Sequence, residues 1–264
     1  MSILEIEKNS LMKGRRMLIT GISGKLSIAY GIAKMMYRSG AELAFSYQNE
    51  RVRSRVEKIA RRFKSDIILP CDVSSDEDIK LLFDKLKNFW KTFDGFVHSI
   101  AYVDSNQLRG DYVDVVTRKD FQISHEISSY SLVAMVKFCR DMLNEHSTIL
   151  TITYIGSILS VPNYNVMGPS KASLESNVRY IASSLSRRKI RVNAISSGPI
   201  MTIASSRIKN FRRMYEHFKK NILTDKISIE DIGKCAVFLC SNMSSGITGE
   251  VINVDGGFRF TCRI

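Results

Sequence analysis

The chain has 264 residues, with 39 Lys and Arg against 26 Asp and Glu and a formal net charge of +13. Hydrophobic residues make up 44% and charged residues 25%, which excludes a disordered, collagenous or low-complexity chain and supports a full core without disulfides or metals. No uninterrupted apolar run reaches the ~18 residues that a membrane span needs. Glu5 and Glu7 interrupt the opening segment, so residues 1–13 are read as a short tail and not as a secretory signal.

Strand-length apolar runs alternate with longer segments of helical periodicity. Strands are predicted at 17–20, 42–47, 66–70, 95–100, 148–154, 191–196 and 250–254. Helices are predicted at 27–39, 49–63, 76–90, 124–143, 167–187, 205–219 and 229–240. Continuous apolar strands separated by helices imply an α/β fold, a parallel sheet covered on both faces. No Pro- or Ser-rich linker interrupts the alternation, which points to a single doubly wound Rossmann-type domain of seven strands over residues 14–264. Right-handed crossovers give the strand order 3-2-1-4-5-6-7, with the ligand at the carboxyl edge where the order reverses.

The first predicted strand runs into Gly21-Ile22-Ser23-Gly24-Lys25-Leu26-Ser27-Ile28. A glycine there lets the chain turn tightly, and small residues at the next helix start let backbone N–H groups approach an anion. This is the place for a dinucleotide pyrophosphate, although the spacing is not GxGxxG and an ordinary strand–helix turn remains the alternative. Strand 2 ends next to Gln48, where a carboxylate usually binds the ribose hydroxyls. Gln48 is neutral and Arg51 is near, so these residues alone leave NADH and NADPH both open. After strand 3, Asp72 and Val73 either meet adenine, with Asp72 accepting from its amino group, or Asp72 caps the next helix.

The most informative segment holds Tyr154, Tyr164 and Lys171 in the pattern Tyr-x9-Tyr-x6-Lys. Seven helical positions return a side chain to the same face, so a helix reaching back to Tyr164 would point phenol and ammonium the same way. A phenol can hydrogen-bond an oxygen that gains charge as hydride arrives, and an ammonium can anchor ribose hydroxyls. Both tyrosines and the lysine are therefore catalytic candidates.

Five cysteines, Cys71, Cys139, Cys235, Cys240 and Cys262, are odd in number and lack zinc-knuckle or CxxC spacing. They read as small buried hydrophobes in a reducing compartment. The four histidines show no HExxH or paired spacing, so no metal site is expected. The positive charge concentrates at 51–64 and 207–220. It fits nucleic-acid binding, docking of an acidic protein, or a plain solvated surface. Neither run carries a nucleic-acid-binding motif or an aromatic ladder.

The sequence resembles the short-chain dehydrogenase/reductase superfamily and, within it, the NADH-dependent enoyl-acyl carrier protein reductases of bacterial fatty-acid synthesis. The resemblance rests on KLSIAYGIA (25–33), GAELAFSYQNE (40–50), DGFVHSIA (94–101), ISSYSLVAM (127–135), PNYNVMG (162–168), KASLE (171–175), RVNAISSGPI (191–200) and ITGEVINVDGGF (247–258). The wider superfamily uses Tyr-x3-Lys, but Met167 stands at that tyrosine's place; the Tyr-x6-Lys spacing and the SIA turn mark the enoyl-reductase branch. The resemblance implies reduction of a trans-2-enoyl thioester with NADH. Tyr164 would donate to the enolate oxygen, Lys171 would bind the nicotinamide ribose, and Tyr154 would position substrate or support proton delivery. Gly21, Ser27 and Ile28 would line the pyrophosphate, Gln48 would meet the adenosine ribose, and Asp72 with Val73 would hold adenine. Ile100 would pack near the cofactor, Ile200, Thr202 and Ala204 would wall the nicotinamide, and Val103 would line the acyl entrance.

It also implies docking of the acidic acyl carrier protein on Lys209, Arg212 and Arg213, with Lys209 and Arg213 sharing a helical face, and a substrate lid near 201–228. By the same analogy the protein is a cytoplasmic homotetramer that binds neither nucleic acid nor membrane. Departures from the family pattern fall at Ala101, Val103, Met201, Pro169 and the 221–228 loop. Pro169 is tolerated only if the helix starts just before it. A reductase of ketones or 3-oxoacyl thioesters is disfavoured by the Tyr-x6-Lys spacing. A non-catalytic nucleic-acid-binding Rossmann protein is disfavoured by the intact tyrosines and lysine.

Overall fold

The computed structural model of the chain describes residues 11–261. Seven strands form one sheet: β1 (Arg16–Ile19), β2 (Glu42–Tyr47), β3 (Ile68–Pro70), β4 (Phe93–His98), β5 (Leu143–Tyr154), β6 (Arg191–Ser197) and β7 (Val251–Val254). Their order is β3-β2-β1-β4-β5-β6-β7, and every neighbouring pair is parallel. The predicted order is therefore the observed one. Because all strands point the same way, every strand-to-helix turn lies along one edge, and the order reverses between β1 and β4.

The strands read as apolar runs because both faces are covered. All seven residues of β6 are buried. On one face α1 (Ile28–Arg38), α2 (Glu50–Ala60) and α9 (Ile229–Cys240) pack against Met17, Ile19, Phe45, Val97 and Ile195. On the other, α3 (Asp76–Leu86), α6 (Ser131–Cys139) and α7 (Met167–Ser184) pack against Leu18, Phe96, Ile149 and Val192. Side-chain caps start the helices: Ser27 accepts from the Tyr30 N–H, Ser75 from Asp78, and Ser228 forms a capping box with Asp231. Between β4 and β5 lie the single turn α4 (Tyr112–Val115) and α5 (Arg118–His125), which continues through a π-helical turn, Glu126–Tyr130, into α6.

Three elements differ from the sequence pattern. The helix predicted over 124–143 begins earlier, at Arg118, because the Thr117 hydroxyl caps the Asp120 N–H ahead of any apolar periodicity. It also ends earlier, since Leu143 pairs with Phe93 and opens β5. The helix predicted over 205–219 does not exist as one piece. A short turn, Ser205–Arg207, is followed by Asn210 at φ 61°, and only then does α8 (Phe211–Asn221) begin. The left-handed Asn210 stops a helix from running through this point. Within the segment read as a tail, Met12 is fully buried and its N–H donates to the Ser39 carbonyl at 2.9 Å, while residues 1–10 lie outside the described residues. Cys71, Cys139, Cys235 and Cys240 are free thiols, and Cys262 falls outside the described residues.

Candidate active site

Gly21 ends the run from β1 at φ +76°. A Cβ there would lie 1.9 Å from the Ser99 carbonyl oxygen and 3.3 Å from the Ile100 side chain, so only glycine fits. The backbone of the turn thus comes down onto the end of β4 at the point where the strand order reverses. Ser27 ties the turn to the helix: its hydroxyl donates to the Gly24 carbonyl at 2.7 Å while capping α1. Ile28 is the first residue of α1, whose N–H groups face the turn. A cradle with no room for a side chain, closed by a helix N-terminus, fits a dinucleotide pyrophosphate.

The next two predicted contacts come together across neighbouring strands. Gln48, just past β2, donates from Nε2 to Asp72 Oδ2 at 3.3 Å, just past β3. Asp72 does not cap the following helix, since Ser75 does; its Oδ1 accepts from the Ser74 N–H and hydroxyl at 3.0 and 2.8 Å. Val73 is half-buried beneath them. On α2, Arg55 donates to the Ser23 carbonyl at 3.1 Å and places a guanidinium beside the glycine turn.

Tyr154 ends β5, and its ring packs edge-on against Tyr164 with centroids 5.0 Å apart. Tyr164 does not lie on the helix that carries Lys171. Asn163 and Asn165 on either side of it have φ 62° and 44°, and α7 begins only at Met167. The predicted helical relation between phenol and ammonium is therefore replaced by a turn. Asn165 donates to the Gln107 carbonyl at 2.9 Å and Asn163 to the Lys209 carbonyl at 3.3 Å. The ring itself lies against Gly156, where a Cβ would come within 2.5 Å of Tyr164 Cδ1. Pro169 is the third residue of α7, where its missing N–H costs no helical bond.

Lys171 is 5% exposed, and its ammonium donates to the Ile152 carbonyl on β5 at 2.7 Å. Burial pushes its pKa down to about 8, while the Glu175 carboxylate one turn along α7 raises it. Burial, the Tyr154 hydroxyl and Glu175 all push the Tyr164 phenol upward, and burial raises Tyr154 to about 12. Both phenols therefore stay protonated through the physiological range. Beneath Lys171, His98 at the end of β4 is fully buried between Thr151 Oγ1 and Ser131 Oγ, at 3.0 and 2.8 Å.

One buried apolar cluster groups Val103, Leu108, Tyr164, Val166 and Met167, with Tyr154, Val161 and Ile208 packed against them. The predicted acyl-entrance residue Val103 thus shares a cluster with Tyr164. After β6, Ile200 is half-buried against the core on the β1 side, and Thr202 and Ser205 bond each other through an Oγ1–N–H contact of 3.0 Å. Ala204 is exposed, while Cδ1 of the adjacent Ile203 lies 3.8 Å from where a Gly24 Cβ would be. Lys209, Arg212 and Arg213 are all exposed. Lys209 stands before the left-handed Asn210, outside α8, so it does not share a helical face with Arg213. Its N–H donates to the Leu108 carbonyl at 3.0 Å, which ties the segment to that apolar cluster.

Sequence reasoning missed Gly156, Glu175 and the two asparagines. Glu175 is visible in KASLE, four residues after Lys171, and that spacing alone signals a shared face. Gly156 carries no such signal, because its contact with Tyr164 is made only by the turn. Among the described residues no group of histidine, cysteine and carboxylate side chains could hold a metal, and no helix is long and apolar enough to cross a membrane.

Residues 21–259 match the model of a family described as enoyl-(acyl carrier protein) reductase. The chain is 54% identical over 248 residues to the enoyl-[acyl-carrier-protein] reductase [NADH] FabI of Salmonella typhimurium, covering 94% of this chain and 95% of that protein. The Haemophilus influenzae protein of the same name is 50% identical, with 95% and 96% covered. Among solved structures, the enoyl-[acyl-carrier-protein] reductase (NADH) of Aquifex aeolicus superimposes with a TM-score of 0.93 at 44% identity, covering 97% of this chain and all of that one. The Bacillus cereus enoyl-acyl carrier protein reductase, solved with NADP+ and an indole naphthyridinone, gives 0.93 at 36% identity, with 96% and 100% covered. With its strand order, glycine turn and paired tyrosines in place, the chain belongs to the enoyl-acyl carrier protein reductase family.

Proposed function

We propose that Tyr164, Lys171 and the Gly21 turn form one reductase centre at the carboxyl edge of the sheet. The protein is an NADH-dependent enoyl-acyl carrier protein reductase of fatty-acid synthesis. NADH, when bound, would supply the hydride to the β-carbon of a trans-2-enoyl thioester, and the α-carbon of the resulting enolate would then take a proton from solvent. Gly21, Ser27 and Ile28 hold the pyrophosphate, Gln48 meets the adenosine ribose, and Asp72 with Val73 holds adenine. Ile100 packs beside the cofactor, and Ile200, Thr202 and Ala204 wall the nicotinamide. A lysine ammonium has three N–H donors; one is committed to Ile152, leaving two for ribose hydroxyls.

The enzyme's main task is to stabilise the negative charge that gathers on the thioester oxygen, because only interactions stronger in the transition state raise the rate. Tyr164 does this by donating its hydroxyl proton in a hydrogen bond. Burial keeps the phenol protonated, so it stays a donor as pH rises. Tyr154, edge-on to Tyr164, holds the substrate against it. The observation that carries this reading is the shared apolar cluster of Val103 and Tyr164, directly beside the strand whose Ile152 carbonyl holds Lys171. Tyr164→Phe is expected to lower turnover of a long-chain enoyl thioester about 100-fold or more, as loss of one oxyanion donor does. NADH affinity measured by calorimetry should stay within about twofold, since the phenol acts on substrate and not on the cofactor. Undiminished turnover removes the role.

The acyl chain arrives on acyl carrier protein, which docks on Lys209, Arg212 and Arg213, and the segment 201–228 serves as the substrate lid. The chain works as a single domain over residues 14–264, as a homotetramer in the cytoplasm. The proximity of α8 to the reacting centre supports the docking reading: Met214 Sδ lies 3.8 Å from the Tyr154 hydroxyl on the inner side of the helix that exposes Arg212 and Arg213.

A further inference from the structure

Glu175 is a charged side chain, only 9% exposed, for which the reaction above has no use. It sits one helical turn beyond Lys171 on α7. Its Oε1 accepts from the Thr153 hydroxyl at 2.6 Å, and Thr153 lies between Ile152, which holds the Lys171 ammonium, and Tyr154. Strand β5 thus holds both side chains, the lysine through a carbonyl and the carboxylate, one helical turn away on α7, through a hydroxyl. A buried carboxylate costs several kcal/mol of desolvation unless a cation nearby compensates. Lys171, one turn back on α7, feels the Glu175 charge.

We infer that Glu175 is a positioning residue that acts through Lys171: fixed by Thr153, it keeps the lysine charged and aimed at the cofactor side of the cleft. The inference rests on the reading of Lys171 as the ribose-binding cation. Among the described residues, the other titratable groups of this region are His98 on β4, which feels Lys171, Tyr154 at the end of β5 and Tyr164 on the turn; all three are uncharged at neutral pH, His98 because burial and then Lys171 push its pKa down to about 3. On α5, His125 Nδ1 lies 2.9 Å from the Phe121 carbonyl oxygen and 3.3 Å from the Ser170 hydroxyl. Glu175 is the charge that opposes the burial of Lys171.

Without that charge the ammonium loses its proton at lower pH. Two unit charges several ångströms apart at an effective dielectric near 20 interact by enough to move a pKa by about one unit or more. NADH would bind where Lys171 is charged, so a drop of one unit from about 8 weakens binding about tenfold at pH 9 and about twofold at pH 7, and leaves it unchanged at pH 6.

The test is Glu175→Gln, which keeps the shape and an oxygen acceptor for Thr153 while removing the charge. The Lys171 side chain is followed by NMR of 13Cε-labelled lysine in the nucleotide-free protein, assigned by its disappearance in Lys171→Met. NADH affinity is measured beside it at pH 6, 7 and 9. The expected result is a titration midpoint about one unit lower, with the affinity loss growing with pH as above. A midpoint within about 0.3 units of the wild type, or an equal loss at every pH, overturns the inference, because a merely structural role gives no pH signature. If Glu175→Gln does not fold, Lys171→Met reads the same coupling from the other side. Its carboxylate then lacks a cation, so relative to the wild type this variant should gain stability as pH falls from 7 to 5. Parallel stability curves overturn the inference. Wild-type NADH affinity in Lys171→Met would remove the ribose role of the lysine, while the nucleotide-free midpoint still decides the role of Glu175.

Discussion

On the nucleotide side, four of the proposed contacts sit in the turn directly after a strand. Gly21, Gln48, Asp72 and Ile100 follow β1, β2, β3 and β4 in this way. The proposed nicotinamide wall at Ile200, Thr202 and Ala204 and the proposed lid over 201–228 enter no strand. That segment is held by scattered long-range bonds: Lys209 N–H to the Leu108 carbonyl, Asn163 to the Lys209 carbonyl, and Leu223 N–H to the Gly256 carbonyl. Phe218 anchors α8 by lying against Gly198, where a Cβ would come within 2.9 Å of the ring. A contact set by the sheet cannot move without disturbing a ladder of hydrogen bonds. A contact set by a few exposed backbone bonds opens at low cost. The proposed cofactor contacts after the strands thus belong to the sheet frame, while the proposed lid is tied to it by fewer bonds.

The largest effect expected from this contrast is on the cradle. Gly21→Ala places a methyl group 1.9 Å from the Ser99 carbonyl oxygen at a positive φ. Strain of that kind costs about 2–3 kcal/mol, so NADH affinity should fall about 100-fold, measured by calorimetry on protein shown to be folded. A loss below about threefold would mean that the turn yields as easily as the lid.

The next effect is on the frame beneath the cradle. His98 is buried neutral, with its pKa pushed down to about 3, chiefly by burial and then by Lys171. The unfolded chain binds a proton below about pH 6.5 where the folded one does not, so stability is lost as pH falls from about 6.5 toward 3. The slope from this group is at most about 1.4 kcal/mol per pH unit. Urea denaturation at pH 7, 6 and 5 should show the fall, and His98→Gln should flatten it. An unchanged slope in the variant would place the acid sensitivity elsewhere.

The smallest effect belongs to the cover. Reversing charge at Arg212 and Arg213 should raise KM for carrier-bound enoyl substrate about tenfold at low salt, less as salt rises, because exposed charges act mainly on association. A short enoyl thioester should be used as before. Equal effects on both substrates would separate these arginines from carrier docking.

Much of this was legible from the chain itself. The strand order follows from apolar runs alternating with helices, because a parallel sheet covered on both sides leaves right-handed crossovers as its connections. Gly21, Gln48, Asp72 and Lys171 could be picked out by their place after a strand or in a helix. What local pattern misjudged were the places where distant backbone decides. The basic run 207–220 has helical periodicity, yet Asn210 is left-handed and Lys209 bonds Leu108 instead. Asp72 reads equally as a cap or a ligand group until Ser75 is seen to take the cap.

Sequence by itself determined the sheet, its order and the residue types at its carboxyl edge, because hydrophobic periodicity and turn chemistry are local properties of the chain. Only the tertiary structure decided how Tyr164 reaches the centre, on a turn pinned by Asn163 and Asn165 to two separate loops, and that Glu175 shares the burial of Lys171. Those relations depend on desolvation and on hydrogen bonds between segments far apart in the chain, which no spacing in the sequence records.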